Sequence, residues 1–511
     1  MHHKDIKREI KNQLKKQFPN WKRLSKKEKR EIAKAVLKEV VDNYDFRQDA
    51  TAPEHELPGI EEQVFTPRIM DLNRMAKFIK SHYSGQIFKI RDFSDKSRYI
   101  KDEELKLIDE LLDKGIITKI LSYEGYSPSM REFAPGLFLR AELLKALKYP
   151  EISYRKFCGD DRNDEKHKLN NSYTGADQKQ NRAFIGLDLR RTTQMLSHVQ
   201  LSQFRSNLTF PQMVNLTVYI LHQFNQCGFL DEKTIHCIDS TELAVECQTL
   251  LATLEIEGKK IRIYDDIDCD CGMRRKKRDK SVYVVGYRLH TLSAINAKTG
   301  QSYPLISLSA PANHHDSNFL APLSRLAQAI GLDVKLITAD EAYEDKEGRL
   351  REETGINLVR PVNSKVLLPS NVDEKTMNVM LDDLCDISMD YLGTGDNCHE
   401  FRCAAEPGEC VREGVCSRIR QIEFDNGHFQ RILHNNNELV HKALDIRKNG
   451  ERPFNLLKKR EGLEGFRTRS QHGLLARSTF ATMATLLLEI AGTRKKRTKV
   501  RQEQLSLPLA A

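Results

Sequence analysis

The chain has 511 residues and 58.9 kDa, with a formal charge of +10, a pI near 8.9 and a mean hydropathy of −0.56. That length admits two or three domains with a sizeable core, and no apolar run reaches the roughly 18–20 residues a membrane helix needs. A basic balance favours a polyanionic partner. The N-terminal stretch MHHKDIKREIKNQLKK lacks the apolar centre of a secretory signal, and six of the eleven cysteines are scattered at 158, 227, 237, 247, 269 and 271. Both features point to a reducing cytoplasm and not to a disulfide framework.

Residues 1–46 form a basic helical arm, with 14 Lys and Arg against 7 Asp and Glu. Ile6, Ile10, Leu14 and Phe18 recur on one face, and Ile32, Val36 and Val40 on a second helix. Two readings stand open: an amphipathic pair packed on the body, or an arm that contacts DNA. Residues 47–66 read as a Pro- and acid-rich linker. Residues 67–235 carry helical spacing in RIMDLNRMAKFIKSHY, DEELKLIDELLDKGI, GLFLRAELLKALKY and TFPQMVNLTVYILHQF, broken by a polar stretch, GDDRNDEKHKLNNSYTGADQKQNR. From 236 to 365 the pattern turns to strands: TIHCIDS, TLEIEGKKIRIY, SVYVVGYRLHTLSAIN and SYPLISLSA, then a helix, NFLAPLSRLAQAIG, and the strands DVKLITAD and INLVRPV. This predicts a mixed α/β domain. Residues 366–440 form a polar, cysteine-bearing insertion, helices return over 441–493, and 494–511 is a basic tail that ends apolar.

Two of the apolar strands end in a bare acid: Asp239 in TIHCIDST and Asp340 in LITADEAY. Carboxylates at the ends of sheet strands repel unless a cation lies between them, and Mg²⁺ suits an all-oxygen donor set. The alternative is that each Asp caps the turn that follows it. A third acid, Glu451, lies in IRKNGERPFNLLKKREG, where Arg447, Glu451 and Lys458 share one helical face. Pro453 predicts that the helix proper begins near Glu451. An ordinary exposed ion-pair face is the alternative there.

Strand-Asp, strand-Asp, helix-Glu resembles the catalytic core of bacterial insertion-sequence DDE transposases of the YREK-signature type, built on the RNase H-like fold. IDST is similar to the first-acid motif and ITADEAY to the second. Residues 285–305 resemble the family's Gly-Tyr-Lys-Leu-His strand and hairpin, with Arg288 for Lys, and SAPANHHDS resembles its next turn. Arg447, Glu451 and Lys458 fit the family's R-x3-E-x6-K spacing, and Leu444 stands where a Tyr commonly precedes that Arg. The resemblance spans roughly residues 130–495. It implies an RNase H-like core with a helical N-terminal region and an inserted cysteine-bearing subdomain. It further implies that Asp239, Asp340 and Glu451 hold two Mg²⁺ (or Mn²⁺) ions. One ion would activate the nucleophile, water and then a freed 3′-OH, and the other would stabilise the leaving oxygen. Arg447 and Lys458 would contact phosphates, and Arg288 and His290 are expected at DNA. Glu461 and Glu464 are rivals for the third acid, disfavoured because only Glu451 has the Arg and Lys at the family spacing. A zinc site from His290, His314, His315 and Asp316 is a less favoured alternative.

Cys398, Cys403, Cys410 and Cys416 fall within nineteen residues and suggest a structural Zn²⁺ site, with four reduced thiols as the alternative. Cys269 and Cys271 are at most stray ligands. The helical region is expected to read terminal inverted repeats. The tail segment QLSLPL, with Gln504, Leu505, Leu507 and Leu509, is similar to the bacterial sliding-clamp hexapeptide and would dock from a disordered tail. A terminus packed on its own core is the alternative. The expectation is therefore a cytoplasmic, nucleoid-associated transposase without a membrane anchor, dimeric on double-stranded DNA. An RNase H-like nuclease without strand transfer and a catalytically dead DNA-binding regulator are its rivals.

Overall fold

The computed structural model describes residues 3–43, 68–84, 98–123, 133–159, 173–190, 195–231, 234–245, 248–256, 259–275, 281–345, 350–361, 379, 387–394, 398–406, 408–410, 412, 414, 416, 418–423, 438–461, 463 and 470–505. The linker at 47–66, Glu464, Leu507 and Leu509 lie outside these residues.

The architecture is mixed α/β. Its central sheet runs β6–β5–β1–β7–β8, with β1 Thr234–Ala244, β5 Ser281–Asn296, β6 Ser302–Pro311, β7 Leu336–Ala339 and β8 Asn357–Val359. The first three of these are antiparallel, and β7 and β8 then lie parallel to β1 and to each other. β5 is long enough to pair over its first part with β4, Asp270–Arg275, and over the rest with β6. Strands buried on both faces read as apolar runs, and β6 is buried at every residue but its last. The segment 250–264 folds as a separate hairpin of β2, Leu250–Ile256, and β3, Lys259–Tyr264.

The basic arm is α1, His3–Gln17, and α2, Lys26–Asn43. Ile10, Leu14, Trp21, Val36 and Val40 pack on Leu251, Ile261 and Ile263 of the β2–β3 hairpin, so the apolar faces meet the body of the protein. In the helical region, α3 is Leu72–Ser84, and the expected helix over 102–116 is split into α4, Glu103–Leu111, and α5, Lys114–Tyr123. Asp102 and Asp113 each accept the amide three residues on, Leu105 and Ile116, which starts each helix anew. Next come α6 Pro135–Lys148, α7 Tyr154–Cys158, α8 Gln178–Ile185, α9 His198–Asn207 and α10 Phe210–Gln226. Ser197 with Gln200, and Thr209 with Gln212, close capping boxes on α9 and α10. α11, Leu320–Ala329, precedes β7, and α12, Leu350–Thr354, precedes β8.

The insertion contributes a three-stranded sheet, β9 Met389–Thr394, β10 Cys398–Cys403 and β11 Ile419–Glu423. α13 Glu438–Arg447, α14 Arg452–Glu461 and α15 Gln471–Leu505 complete the described chain. One hydrophobic core joins the helical region, α15 and the sheet: Phe138, Phe204, Leu216, Leu305, Ile337, Phe480 and Leu487 all belong to it. The segment Gln471–Gly492 is long and apolar enough to cross a membrane, but 78% of it is buried in this core, whose centre it forms. Arg140, Lys145 and Arg205 of the helical region are also buried, with Arg205 paired to Glu142, so these cations are not available to a nucleic acid.

Candidate active site

β1 and β7 are held together by three registered pairs, His236↔Ile337, Cys237↔Thr338 and Ile238↔Ala339. The next residue on each strand is an acid. Asp340 thus follows the end of β7, whereas β1 runs on past Asp239 to Ala244 in pairing with β5, so the strand end expected at Asp239 is not formed; the two acids stand side by side where the β1–β7 ladder stops. One oxygen of each is fixed by the amide that follows: Ser240 donates to Asp239 Oδ1 at 2.8 Å, and Glu341 to Asp340 Oδ1 at 2.6 Å. Asp239 is partly buried, while Asp340 is exposed at the rim.

The third acid is delivered by a break in a helix. Arg447 closes α13, a 3-10 turn covers Lys448–Glu451, and α14 begins at Arg452. Arg447 and Lys458 thus belong to different helices, and the single helical face expected for Arg447, Glu451 and Lys458 is not formed. The cause is close packing. A Cβ on Gly450 would lie 2.6 Å from Cys237 Sγ, so glycine lets this turn lie on β1 without a shift of the buried Cys237. Cys237 and Asp239 share a face of β1, being two residues apart. The turn therefore brings Glu451 to the side on which Asp239 projects. Arg452 Nη1 donates to Gly300 O at 2.9 Å and ties the same turn to the β5–β6 hairpin.

Burial raises the Asp239 carboxyl to about 6; the charges of Asp340 and Glu451 also push it up, while the Ser240 amide and Arg447 pull it down. Asp239 thus senses both other acids and Arg447. Among the described residues none of the three acids forms an ion pair. Nor do any three Asp, Glu, His or Cys side chains there stand close enough together to enclose an ion as they are. Glu451 is exposed at the mouth of the site, in electrostatic reach of Asp239. The donor set is all oxygen and carries more negative charge than the protein offsets, which fits a hard divalent cation.

Two expected DNA contacts are corrected. His290 is fully buried, stacked on Phe319 with ring centroids 3.7 Å apart, and its Nδ1 lies 2.9 Å from the Tyr343 hydroxyl. It cannot reach a nucleic acid, and burial holds its ring well below the usual histidine range. Arg288 is committed to Asp316 at 2.9 Å and Glu242 at 2.8 Å, so its guanidinium is an internal strut. Burial alone would lower the Arg288 pKa, but these two carboxylates raise it. Asp316 accepts from Ser240 Oγ at 3.1 Å as well as from Arg288, and His315 turns to Ser317, so no zinc cluster forms around the histidines. Tyr343, Ser240, Glu242, Phe319 and Gly450 were not singled out from sequence. Their one signal was position: each adjoins a motif residue.

The four thiols of the insertion are not gathered. Cys398 and Cys403 stand at opposite ends of β10, which at roughly 3.3 Å per residue separates them by about 16 Å, too far for one tetrahedral ion. Cys410 Sγ instead accepts from the Arg412 amide at 3.4 Å. Cys269 and Cys271 lie at the central sheet, on or next to β4. At the C-terminus, α15 continues through Gln504 and Leu505, so the two described residues of the six-residue clamp-like motif are helical where a disordered tail was expected. Comparison with protein-family models and with curated proteins finds no match.

Proposed function

We propose that the protein is a DDE transposase, an enzyme that binds the terminal inverted repeats of a mobile element, cleaves DNA at its ends and joins them to target DNA. The observation that carries this reading is the placing of Asp239, within β1, beside Asp340, which directly follows the parallel strand β7, with Glu451 in electrostatic reach of Asp239. Three antiparallel strands continued by two parallel ones, with the acids on the middle pair, suit an RNase H-like core.

Asp239, Asp340 and Glu451 would hold Mg²⁺ or Mn²⁺, which when bound supplies charge stabilisation at the scissile phosphate and lowers the pKa of the attacking hydroxyl. The chain's own part is positioning. Asp239 is on β1 and Asp340 directly follows β7, which keeps the reacting geometry fixed. Arg447, close enough to bias Asp239, adds a cation beside the acids for a DNA phosphate, and Lys458 lies one helix further on. Phosphate contacts of this kind make binding salt-sensitive. Joining two element ends requires two active sites in one complex, so the reading includes a dimer on DNA. The QLSLPL tail supports recruitment by the sliding clamp.

The test is a joining reaction. DNA carrying the sequences that flank the gene is incubated with protein, target plasmid and Mg²⁺, beside Glu451→Gln, and new junctions are sequenced. Junctions with the wild type alone support the reading. Cuts without junctions indicate a nuclease, and retained end binding without cutting indicates a regulator.

A further inference from the structure

Backbone pairing stops one residue short of the acids. The β1–β7 ladder ends at Ile238↔Ala339, and after Asp340 the chain turns, with the Tyr343 amide donating to Asp340 O at 3.0 Å. Something else must hold the Asp340 turn against β1 if two carboxylates are to keep one spacing.

Side chains supply it. Tyr343 is fully buried, and its hydroxyl meets His290 Nδ1 at 2.9 Å. His290 is on β5, in register with Ser240, the neighbour of Asp239. Its ring lies flat on Phe319, at 10° between planes, and Phe319 ends the 3-10 turn that begins at Asp316. Asp316 in turn accepts from Ser240 Oγ on β1 and from Arg288 on β5, and Arg288 reaches back to Glu242 on β1. Four segments are thus tied, β1, β5, the 316–319 turn and the 340–343 turn, by a buried Tyr343–His290 bond and a part-buried Asp316–Arg288 group that meet at the Phe319 ring, where His290 Nδ1 also comes within 3.6 Å of Asp316 Oδ1. An apolar core of equal volume would pack as well, but it would not select one relative placement of the strand ends; directional hydrogen bonds in a low dielectric do. These contacts adjoin both acids, through Ser240 next to Asp239 and through Tyr343 on the Asp340 turn, and His290 and Tyr343 are closed to solvent.

We propose that Tyr343 and His290 are positioning residues that fix the spacing of Asp239 and Asp340 through Ser240, Asp316 and the Asp340 turn, and so set the affinity of that pair for a divalent cation. The inference rests on reading these acids as a cation site. Partners behind metal ligands characteristically change affinity by about 10- to 100-fold when removed.

The test is titration of the full-length protein with Mn²⁺, followed by the electron paramagnetic resonance signal of the free ion. Wild type, Tyr343→Phe and Tyr219→Phe are compared, with thermal melting of each metal-free protein. Tyr219 is a matched control: its buried hydroxyl donates to Leu111 O at 2.7 Å in the helical region, away from the acids. Tyr343→Phe is expected to bind Mn²⁺ about tenfold more weakly or worse, while melting like Tyr219→Phe, which keeps wild-type affinity. Wild-type affinity in Tyr343→Phe overturns the inference and leaves the cation site standing. Equal weakening in both variants also overturns it, since general loosening then explains the effect. A wild type that binds no Mn²⁺ removes the cation site and the inference together.

Discussion

Two groups of acids in this protein are treated in opposite ways. The turn that follows β3 carries Asp265, Asp266, Asp268 and Asp270, and the N-terminal helices cover it with cations. Lys29 pairs with Asp265 at 2.6 Å, Lys15 with Asp268, and Lys11 approaches Asp270 at 4.0 Å while donating to the carbonyls of Asp268 and Cys269. Trp21 adds its indole N–H to Asp265 O at 3.1 Å. At the β1–β7 ends, by contrast, Asp239, Asp340 and Glu451 have Arg447 nearby and no ion pair among the described residues. A cluster bridged by lysines of the arm is a joint, here fastening the basic arm to the body. A cluster with one arginine nearby and no ion pair is what the proposed cation site calls for.

The largest expected effect comes from the second cluster. Asp340→Asn should lower DNA cleavage by about a thousandfold or more, the scale of losing a preorganised charge-stabilising group, while a gel-shift assay finds binding to element ends retained. The joint gives the next effect. Lys29→Met leaves Asp265 partly buried and without its partner, and chemical denaturation should show a loss of about 3 kcal/mol. That variant should not alter Mn²⁺ affinity, and if it did, the two clusters would not be the separate devices described here.

The third expectation concerns pH. Asp239 has a folded pKa of about 6 against an ordinary value of 3.8. Its ionised form is therefore costly to the folded state, and the cost grows as pH rises from about 4 to 6 and is complete above that. Asp239→Asn should accordingly stabilise the metal-free protein at pH 7.5, by on the order of 2 kcal/mol once its remaining exposure is allowed for, and by almost nothing at pH 3.5. Denaturation at both pH values measures it. The smallest effect is Lys15→Ala, whose side chain is 53% exposed: under about 1 kcal/mol in the same experiment.

Asp340 was legible in the sequence because a buried strand that ends in a carboxylate is a local pattern, and Asp239 was found by the same pattern although β1 runs on to Ala244. β5, β6 and α10 were legible for the same reason, being long and strongly periodic. What was not legible depended on contacts between distant segments. Periodicity gave the arm an apolar face and said nothing of the β2–β3 hairpin that covers it. The helix start that Pro453 predicted near Glu451 is found at Arg452, but the spacing of Arg447, Glu451 and Lys458 still read as one face because no local signal reveals the contact of Gly450 with Cys237. His290 was expected to contact DNA or to be structural, and identity alone does not report the Phe319 ring above it that decides for the second. The cysteines were close in number and are apart in space, because the residues between Cys398 and Cys403 extend as a strand.

The most direct test of the contrast replaces the divalent cation with Fe²⁺ and generates hydroxyl radicals at it with ascorbate and peroxide. Backbone cuts are expected next to Asp239 and Asp340, to be lost in Asp340→Asn and kept in Lys29→Met. Cuts at residues 265–270, or none beside Asp239 and Asp340, would contradict the assignment of the β1–β7 ends as the cation site.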